Sequence, residues 1–389
     1  MSLGIVWAAL SSVLIVLVAI SSFAWIWIIY RRGITLSRLN SLGKSCNDSI
    51  SYLSVIIPAR NVERWVEWCL SSLLRQGGVK GEILLVDDSS EDGTARIVLN
   101  RFLNRGVKYV RVGLTPRGWL GKNWACWRGY GHSRGEWLLF MDADTVLLDE
   151  CVLSDALKRC EKDLDALSLV PRLDTGSLSS KIMLPLLQNI LWSLFPPTRS
   201  NDPRDPAAIL FGAFILVKRS VYEGIGGHEA VRSRVLEDRA LASILKGRGY
   251  KILLLNGSER IVAEFAGSIR GYVDAIKRLV ADYALTHNLS PLKYYLAGAV
   301  IHLLLPQVVL VGASFYGLNA FLLPASSSVV LNLAANLLEL RRLKVKRGLL
   351  YTPLTLLANW VLVAAIMKSY LATTLGRVEL TWRGRRIRT

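Results

Sequence analysis

Two aspartates separated by one residue follow an apolar run in the middle of the chain. The run, residues 137–141, reads WLLFM, and Asp142 and Asp144 come directly after it. If the backbone stays extended past the run, both carboxylates point to the same side. Two carboxylates that leave coordination positions open suit Mg²⁺ or Mn²⁺ bound to phosphate oxygens. We therefore predict a divalent-metal site at Asp142 and Asp144, although an acidic turn that binds no metal has the same spacing.

A second acidic pair, Glu237 and Asp238, opens a segment with helical periodicity, in which Leu241, Ile244 and Leu245 recur at intervals of three and four. Acidic residues are favourable at a helix N-terminus because of the helix dipole. A carboxylate within hydrogen-bond reach of a hydroxyl group is also the usual general base. The residues alone leave both interpretations open.

Two further polar clusters follow apolar runs. Residues 58–61, PARN, end the run 53–57, and the pair Asp87-Asp88 ends the run 82–86. Each cluster alone is typical of a turn or a helix cap. Because ligands of parallel sheets bind at the carboxyl ends of the strands, we expect the clusters to lie at one edge of a sheet.

The elements that must position these residues alternate along the chain. Continuous apolar runs at 53–57, 82–86, 107–112 and 137–141 are separated by segments with helical periodicity at 62–74, 94–104 and 123–133. This alternation predicts an α/β domain with a mostly parallel sheet and helices on both faces.

Three tryptophans surround a Gly-Lys pair in RGWLGKNWACWR, residues 117–128. Gly121 lets the backbone approach a ligand closely, and Lys122 can reach a phosphate as a point charge. Trp124 and Trp127 share one helical face and are predicted to pack in the core. Trp119 is the candidate for a ligand contact.

Apolar segments at both ends predict a multi-pass membrane protein. Residues 1–30 contain no acidic or basic residue and precede Arg31 and Arg32, which predicts a membrane anchor over 1–32 with its carboxyl end in the cytosol. A cleaved signal peptide is the weaker alternative, since no positive segment precedes the run. Uncharged stretches at 294–338 and 348–367 predict transmembrane or interfacial helices within 293–375.

Three crossings in that region would place the basic tail, 376–389, outside, whereas the positive-inside rule places the tail and 341–347 in the cytosol. We favour a cytosolic tail, in which case either the last segment is re-entrant or interfacial or one apolar stretch is miscounted. We also predict a cytosolic catalytic domain over 40–290. The short apolar segment 181–195 is either an interfacial helix or a buried helix of that domain.

The net charge of +18 and the five cysteines limit the classes of partner. The basic residues cluster beside apolar segments and form no recognisable nucleic-acid module, so attraction to anionic lipid head groups explains them better than binding to nucleic acid does.

The cysteines form no CxxC and are odd in number, which indicates no metal or disulfide framework and a reduced compartment.

The patterns SVIIPARN, ILLVDDSSEDGT and FMDADT follow one another in an order that resembles the GT-A glycosyltransferases of family 2. The resemblance implies that Asp88, with Asp87, contacts the nucleotide, that Asp142 and Asp144 hold Mg²⁺ or Mn²⁺ on the pyrophosphate, and that Asp238 is the catalytic base. The donor-binding set that it implies is Pro58, Arg60, Asp87, Asp88, Lys122, Asp142, Glu237 and Arg278. Arg278 is equally explained as a charge beside the membrane.

Six further features are similar to the hopanoid-associated and carotenoid-type branch of that family. They are WxGKxWA, SNDPRDPAA, GAFILVKR, IGGH, LEDRALA and TWRGR. This narrower resemblance implies a membrane-anchored enzyme that moves one sugar from a nucleotide-sugar donor to a membrane lipid, isoprenoid-type or polyprenyl phosphate, with a free lipid hydroxyl or a diacylglycerol-type lipid also open as acceptor. A direct in-line attack opposite the leaving group predicts inversion at the anomeric centre. A processive polysaccharide synthase is less favoured, because the Q-x-x-R-W motif of those synthases does not occur. A nucleotidyltransferase and a non-catalytic lipid- or nucleotide-binding membrane protein are the remaining alternatives.

Overall fold

The computed structural model describes residues 2–286, 291–375, 380–382 and 385–387, with side chains for 6–284 and 291–375. The chain forms two compact units. The first unit comprises Met1–Leu36, Thr175–Pro196 and Ala266–Val378, and the second comprises Ser37–Asp174, Pro197–Phe265 and Glu379–Thr389. Residues 175–196 and 266–290, which the predicted 40–290 domain includes, thus belong to the first unit.

The strands, numbered in chain order, are β1 (Tyr52–Ala59), β2 (Lys80–Asp87), β3 (Val107–Arg111), β4 (Trp137–Phe140), β5 (Thr145–Leu147), β6 (Ala166–Val170), β7 (Arg172–Leu173), β8 (Ile215–Lys218), β9 (Ile252–Asn256), β10 (Ile261–Ala263), β11 (Leu380–Trp382) and β12 (Arg385–Ile387). The helices, numbered in the same way, are α1 (Ser2–Arg38), α2 (Glu63–Leu74), α3 (Thr94–Arg101), α4 (Gly121–Gly131), α5 (Val152–Asp163), α6 (Leu178–Leu194), α7 (Arg219–Gly224), α8 (Glu237–Gly247), α9 (Ile269–Thr286), α10 (Leu292–Ala299), α11 (Leu305–Tyr316), α12 (Asn319–Arg342), α13 (Gly348–Tyr351) and α14 (Leu356–Thr374).

The second unit contains a seven-stranded sheet in the order β3-β2-β1-β4-β8-β6-β9. Strands β1 to β4 pair in parallel, β8 runs antiparallel to both β4 and β6, and β6 pairs in parallel with β9. A smaller sheet has the order β5-β10-β7. The predicted α/β class with a mostly parallel sheet is confirmed.

Both faces of the large sheet are covered by apolar packing. Along β1, Val55 and Ile57 belong to one buried cluster, which includes residues of α2 and α5, while Ile56 belongs to a second cluster that includes residues of α4 and α8. Successive strand residues point to opposite faces. Strands buried on both faces read as continuous apolar runs, which explains why the runs were recognisable in the sequence.

Within the described residues, four helical segments are long and apolar enough to cross a membrane, and they belong to the first unit except for Ser37 and Arg38 at the end of one. They are Val6–Arg38, Leu292–Tyr316, Asn319–Arg342 and Gly348–Thr374. The prediction of transmembrane helices at both ends of the chain is confirmed at this level, and their orientation stays a prediction. The segment 181–195 lies in α6, which also belongs to this unit. Most of the predicted tail, 376–389, lies outside the described residues.

The expectation that the cysteines form no disulfide is wrong. Cys46 and Cys151 are joined at a sequence separation of 105, with 5.0 Å between their Cα atoms. The segment before β1 folds back onto α5, where Asp155 Oδ1 accepts hydrogen bonds from the backbone N–H groups of Ser45 and Cys46. A pairing between residues so distant in the chain has no spacing signature, and it removes the argument for a reduced compartment.

Candidate active site

The carboxyl edge of β4 carries a three-residue ionic cluster. Lys122 Nζ lies 2.6 Å from Asp142 Oδ1 and 2.6 Å from Glu237 Oε1. Asp142 follows β4, Lys122 lies in the first turn of α4, and Glu237 begins α8. Burial by itself lowers the pKa of Lys122, but Asp142 and Glu237 together raise that pKa well above its ordinary value. A fixed positive charge therefore stands beside the first aspartate of the DxD pair.

Gly212 connects both acidic pairs through its backbone. Its carbonyl accepts a hydrogen bond from Asp142 N at 3.1 Å, and its N–H donates to Asp238 Oδ2 at 3.2 Å. A Cβ atom at position 212 would lie 2.9 Å from Asp142 Oδ2 and 3.0 Å from Lys122 Nζ. Only glycine therefore allows the backbone to approach these groups so closely.

The carboxylate of Asp238 is held at both oxygens and is hard to ionise. Besides the Gly212 contact, Oδ1 accepts a hydrogen bond from the backbone N–H of Arg239 at 2.7 Å. Burial first, and the neighbouring Glu237 second, raise the pKa of Asp238 well above its usual range, while Lys122 acts in the opposite direction. A carboxylate with a raised pKa is a stronger base, which suits proton removal from a hydroxyl group.

Asn123, which no sequence pattern singled out, ties α4 to the loop before α8. Its Nδ2 atom donates to the carbonyl oxygens of Val231, Arg232 and Arg234 at 2.9, 3.1 and 3.0 Å. The backbone N–H of Leu120 also donates to Arg232 O at 2.8 Å. The helix that supplies Lys122 thereby holds the segment that leads to Glu237 and Asp238.

The loop after β2 is built on Asp87. The Oδ1 atom of Asp87 accepts hydrogen bonds from the backbone N–H and the hydroxyl of Ser90, and Oδ2 accepts one from the hydroxyl of Tyr109 at 2.6 Å. Asp88 is also fully buried, and Thr115 Oγ1 lies 3.4 Å from its Oδ1. The Asp87 carboxylate thus shapes this loop.

Arg60 faces the same loop. Its guanidinium donates to the carbonyl oxygens of Asp88 and Ser89 at 2.6 and 3.0 Å and pairs with Glu91 at 3.0 Å. In this arrangement Arg60 holds the loop in place. Pro58 lies within β1, opposite Val86 of β2, so it is part of the sheet itself.

The remaining predicted residues are distributed between the units. Asp144 is 8% exposed and lies two residues after Asp142. Within the described residues, no group of three or more His, Cys, Asp and Glu side chains could hold a metal ion. Two carboxylates still fit Mg²⁺ or Mn²⁺, because these ions commonly take one or two carboxylates and complete their shell with phosphate oxygens and water.

Arg278 lies in α9 of the first unit, and its contact with a diphosphate stays a prediction.

Comparison with known proteins finds a family match over the part of this site that precedes Glu237 and Asp238. Residues 54–226, which contain the clusters after β1, β2 and β4 together with Gly212, match the model of Glycosyl transferase family 2. The chain carries a glycosyl transferase family 2 domain. The family resemblance that the sequence motifs indicated is confirmed.

Two similar proteins are the 4,4'-diaponeurosporenoate glycosyltransferases of Staphylococcus aureus strains bovine RF122 / ET3-1 and USA300. The first is 28% identical over 258 residues, which cover 64% of this chain and 64% of that protein. The second is 28% identical over 223 residues, which cover 55% of this chain and 56% of that protein. The chain therefore matches less than two thirds of the length of these relatives.

A similar solved structure is the mannosyltransferase PcManGT from Pyrobaculum calidifontis, determined in complex with GDP-Man and Mn²⁺. The two chains share 21% identity and a TM-score of 0.54, over 92% of this chain and 98% of the other. This likeness supports a GT-A-like fold around the family 2 domain.

The three tryptophans of residues 117–128 form one cluster. The ring of Trp119 lies 5.2 Å from that of Trp124 and 6.2 Å from that of Trp127, between ring centroids. All three side chains are half-buried, and Trp124 and Trp127 pack at the margin of the cluster that includes Ile56. The two residues predicted for the core thus lie at its edge, in ring contact with Trp119.

Proposed function

We propose that the protein is a metal-dependent, inverting glycosyltransferase that moves a single sugar from a nucleotide-sugar donor to a membrane lipid. The arrangement of Lys122, Asp142 and Asp238 around the backbone of Gly212 carries this proposal. It brings a cation, an acidic ligand and a basic carboxylate together at the carboxyl edge of the sheet, where ligands of such sheets bind. The names of the relatives, which give 4,4'-diaponeurosporenoate as the compound glycosylated, and the four candidate membrane spans support a lipid acceptor.

The proposed reaction is a direct displacement. Asp238 accepts the proton of the acceptor hydroxyl while that oxygen bonds to the anomeric carbon from the face opposite the nucleotide. The bond from the anomeric carbon to the phosphate oxygen breaks, and the nucleoside diphosphate leaves with the electron pair. One displacement inverts the anomeric centre, through a transition state with oxocarbenium character.

The charges of the site match this displacement. Negative charge develops on the leaving diphosphate, and Lys122 places a positive charge beside Asp142. Asp142 and Asp144 would hold Mg²⁺ or Mn²⁺, which when bound neutralises phosphate charge. The Mn²⁺ and GDP-Man named with the solved mannosyltransferase support this choice of ion and donor class.

Substitution of Asp142 by Ala in the full-length protein tests the proposal. Wild-type protein in lipid vesicles should release a nucleoside diphosphate and form a glycolipid, and a chelator should stop both. D142A should lose both products, whereas a variant at the exposed Asp163 should retain them. Unchanged transfer by D142A would contradict the proposal, and release of pyrophosphate in place of nucleoside diphosphate would indicate a nucleotidyltransferase.

Substitution of Asp238 by Asn separates the acceptor classes. A phosphate or carboxylate acceptor is already ionised and needs no base, so near-full activity of D238N would indicate an anionic acceptor, such as polyprenyl phosphate. A neutral hydroxyl acceptor requires proton removal, and we expect D238N to lose about 100-fold or more in kcat. Addition of many sugars to one acceptor would instead indicate a processive synthase.

A further inference from the structure

The positive charge of the chain is concentrated in the first unit. That unit contains 14 lysines and arginines but three acidic residues, which are Asp274, Asp282 and Glu339. Of these three, Glu339 alone lies in a candidate membrane span, near the carboxyl end of α12. Charged groups in membrane helices usually pair with one another or mark a binding site. The surroundings of Glu339 therefore show how this unit balances its charge.

Glu339 is 1% exposed and holds two arginines with one carboxylate. Arg32 Nε donates to Oε2 at 3.1 Å, and Arg32 Nη2 donates to Oε1 at 2.7 Å. Arg342 Nη1 donates to the same Oε2 atom at 3.2 Å. The Arg32 guanidinium also lies 3.6 Å from the ring centroid of Trp192, which favours its charged form. Because Arg32 already neutralises the carboxylate, the charge of Arg342 is in excess.

This cluster also has more hydrogen-bond donors than acceptors. Within the described residues, the buried Nη1 atom of Arg32 and the buried Nε atom of Arg31 have no hydrogen-bond partner. The Arg342 side chain is 34% exposed, so a ligand reaches it from outside the helices and needs no internal cavity. A guanidinium presents its N–H donors as a planar fork that matches two oxygens of a phosphate. An anion with several oxygen acceptors would therefore balance both the charge and the donors.

The cluster lies where a membrane helix ends. Arg342 is the last residue of one candidate span, and the next candidate span begins at Gly348. Four basic residues between these spans are exposed: Arg341, Lys344, Lys346 and Arg347. Basic clusters next to membrane helices attract anionic lipid head groups. A phosphate bound at this level is therefore that of a lipid head group.

We propose that Arg342, which Glu339 holds beside Arg32, binds the phosphate of an anionic membrane lipid such as phosphatidylglycerol. The Arg342 fork donates to two phosphate oxygens, and the exposed basic residues of 341–347 add positive charge around it. A zwitterionic lipid carries its own cation and gains less from these charges. The bound lipid is not the sugar acceptor, so this inference goes beyond the proposed function and does not depend on it.

Lipid retention by the full-length protein, measured without a sugar donor, tests this site. Wild type, R342M, R342K and K293M would be incubated in detergent with equal amounts of phosphatidylglycerol and phosphatidylcholine. Native mass spectrometry would then give the ratio of the two bound lipids. Methionine keeps the length of the arginine stem but has neither charge nor N–H donor. We expect the ratio to fall about fivefold or more in R342M and to fall less in R342K. K293M, which removes one charge from the exposed Lys293 of the same unit, should keep the wild-type ratio.

Replacement of Glu339 by Gln separates lipid binding from a purely structural ion pair. E339Q leaves Arg32 and Arg342 without their carboxylate, so we expect a lower thermal unfolding midpoint but a lipid ratio at least as high as that of wild type. Phosphatidylglycerol should also raise the midpoint of wild type more than that of R342M, because a ligand stabilises the state that binds it.

Four results would each overturn the proposal. An unchanged ratio in R342M would remove the role of Arg342, and an equal fall in K293M would indicate diffuse attraction to the basic surface. A fall in E339Q as large as in R342M would mark the ion pair as structural, and complete displacement of the lipid by inorganic phosphate would indicate a site for free phosphate. If E339Q does not fold, R342M and K293M decide. Selective lipid retention by a wild-type protein that transfers no sugar would sink the proposed function and leave this site standing.

Discussion

The ammonium nitrogen of Lys122 lies 2.6 Å from Oδ1 of Asp142, so the first aspartate after β4 is paired with a fixed cation before any donor binds. Glu237 shares the same ammonium group at 2.6 Å. Lys122 thus joins the predicted metal ligands to the acidic pair of α8. Substitution of Asp142, Lys122 or Glu237 should therefore affect both the donor site and the proposed base.

Replacement of Lys122 by Met removes the cation and keeps the length of the side chain. We expect kcat/KM for sugar transfer to fall about 100-fold or more, because charge stabilisation of the leaving group is lost. Asp142 and Glu237 would then face each other unpaired, so the thermal midpoint should also fall. Steady-state kinetics and thermal unfolding measure both effects, with a variant at the exposed Lys218 as the control. Wild-type kinetics in K122M would refute a role of Lys122 in transfer.

The raised pKa of Asp238 predicts a pH dependence of transfer. The base is active when ionised, so kcat/KM should fall as the pH drops through a pKa that lies above the usual carboxyl range near 4. The folded protein binds this proton more tightly than the unfolded chain does, so ionisation of Asp238 destabilises the fold as the pH rises through the folded pKa. We therefore expect D238N to be more stable than wild type above that pH. An acid limb at or below pH 4 would contradict this assignment.

Replacement of Gly212 by Ala tests the close approach of the backbone. The new Cβ atom would lie 2.9 Å from Asp142 Oδ2, so the carboxylate must shift away from its position. We expect kcat to fall about tenfold or more with little change in the unfolding midpoint, since small displacements of reacting groups have large kinetic effects. G113A is the matched control, because nothing lies within 4 Å of the added atom there. Equal activity of G212A and G113A would refute the prediction.

Replacement of Asn123 by Ala tests the tie between α4 and the loop before α8. Loss of its three hydrogen bonds should loosen residues 231–234 and misplace Asp238. We expect kcat to fall with little change in the KM of the donor, and the acid limb to move to lower pH as Asp238 becomes more solvated. Hydrogen exchange of residues 229–238 should increase. The exposed Asn104 provides the control, and parallel losses in N104A would point to a general effect.

The sequence predicted the sheet because strands that are buried on both faces are continuous apolar runs. It predicted the carboxyl edge of the sheet because polar residues directly follow those runs. Asp142 was found in this way, whereas Lys122 was singled out by the Gly-Lys pair among tryptophans and Glu237 by the acidic pair that opens a helical segment. Gly212 and Asn123 could not be assigned, since their roles depend on distances between segments that are far apart in the chain. The Cys46–Cys151 pair was missed for the same reason.

Product analysis of purified full-length protein tests the proposed sugar transfer to a lipid most directly. The protein would be incubated with membrane lipids and a panel of nucleotide sugars, and new lipids would be identified by mass. We predict one lipid class that gains a single sugar with inverted anomeric configuration, together with one nucleoside diphosphate per transfer, and no product from D142A. Absence of a glycolipid with every donor, or an equal yield from D142A, would contradict the proposed transfer.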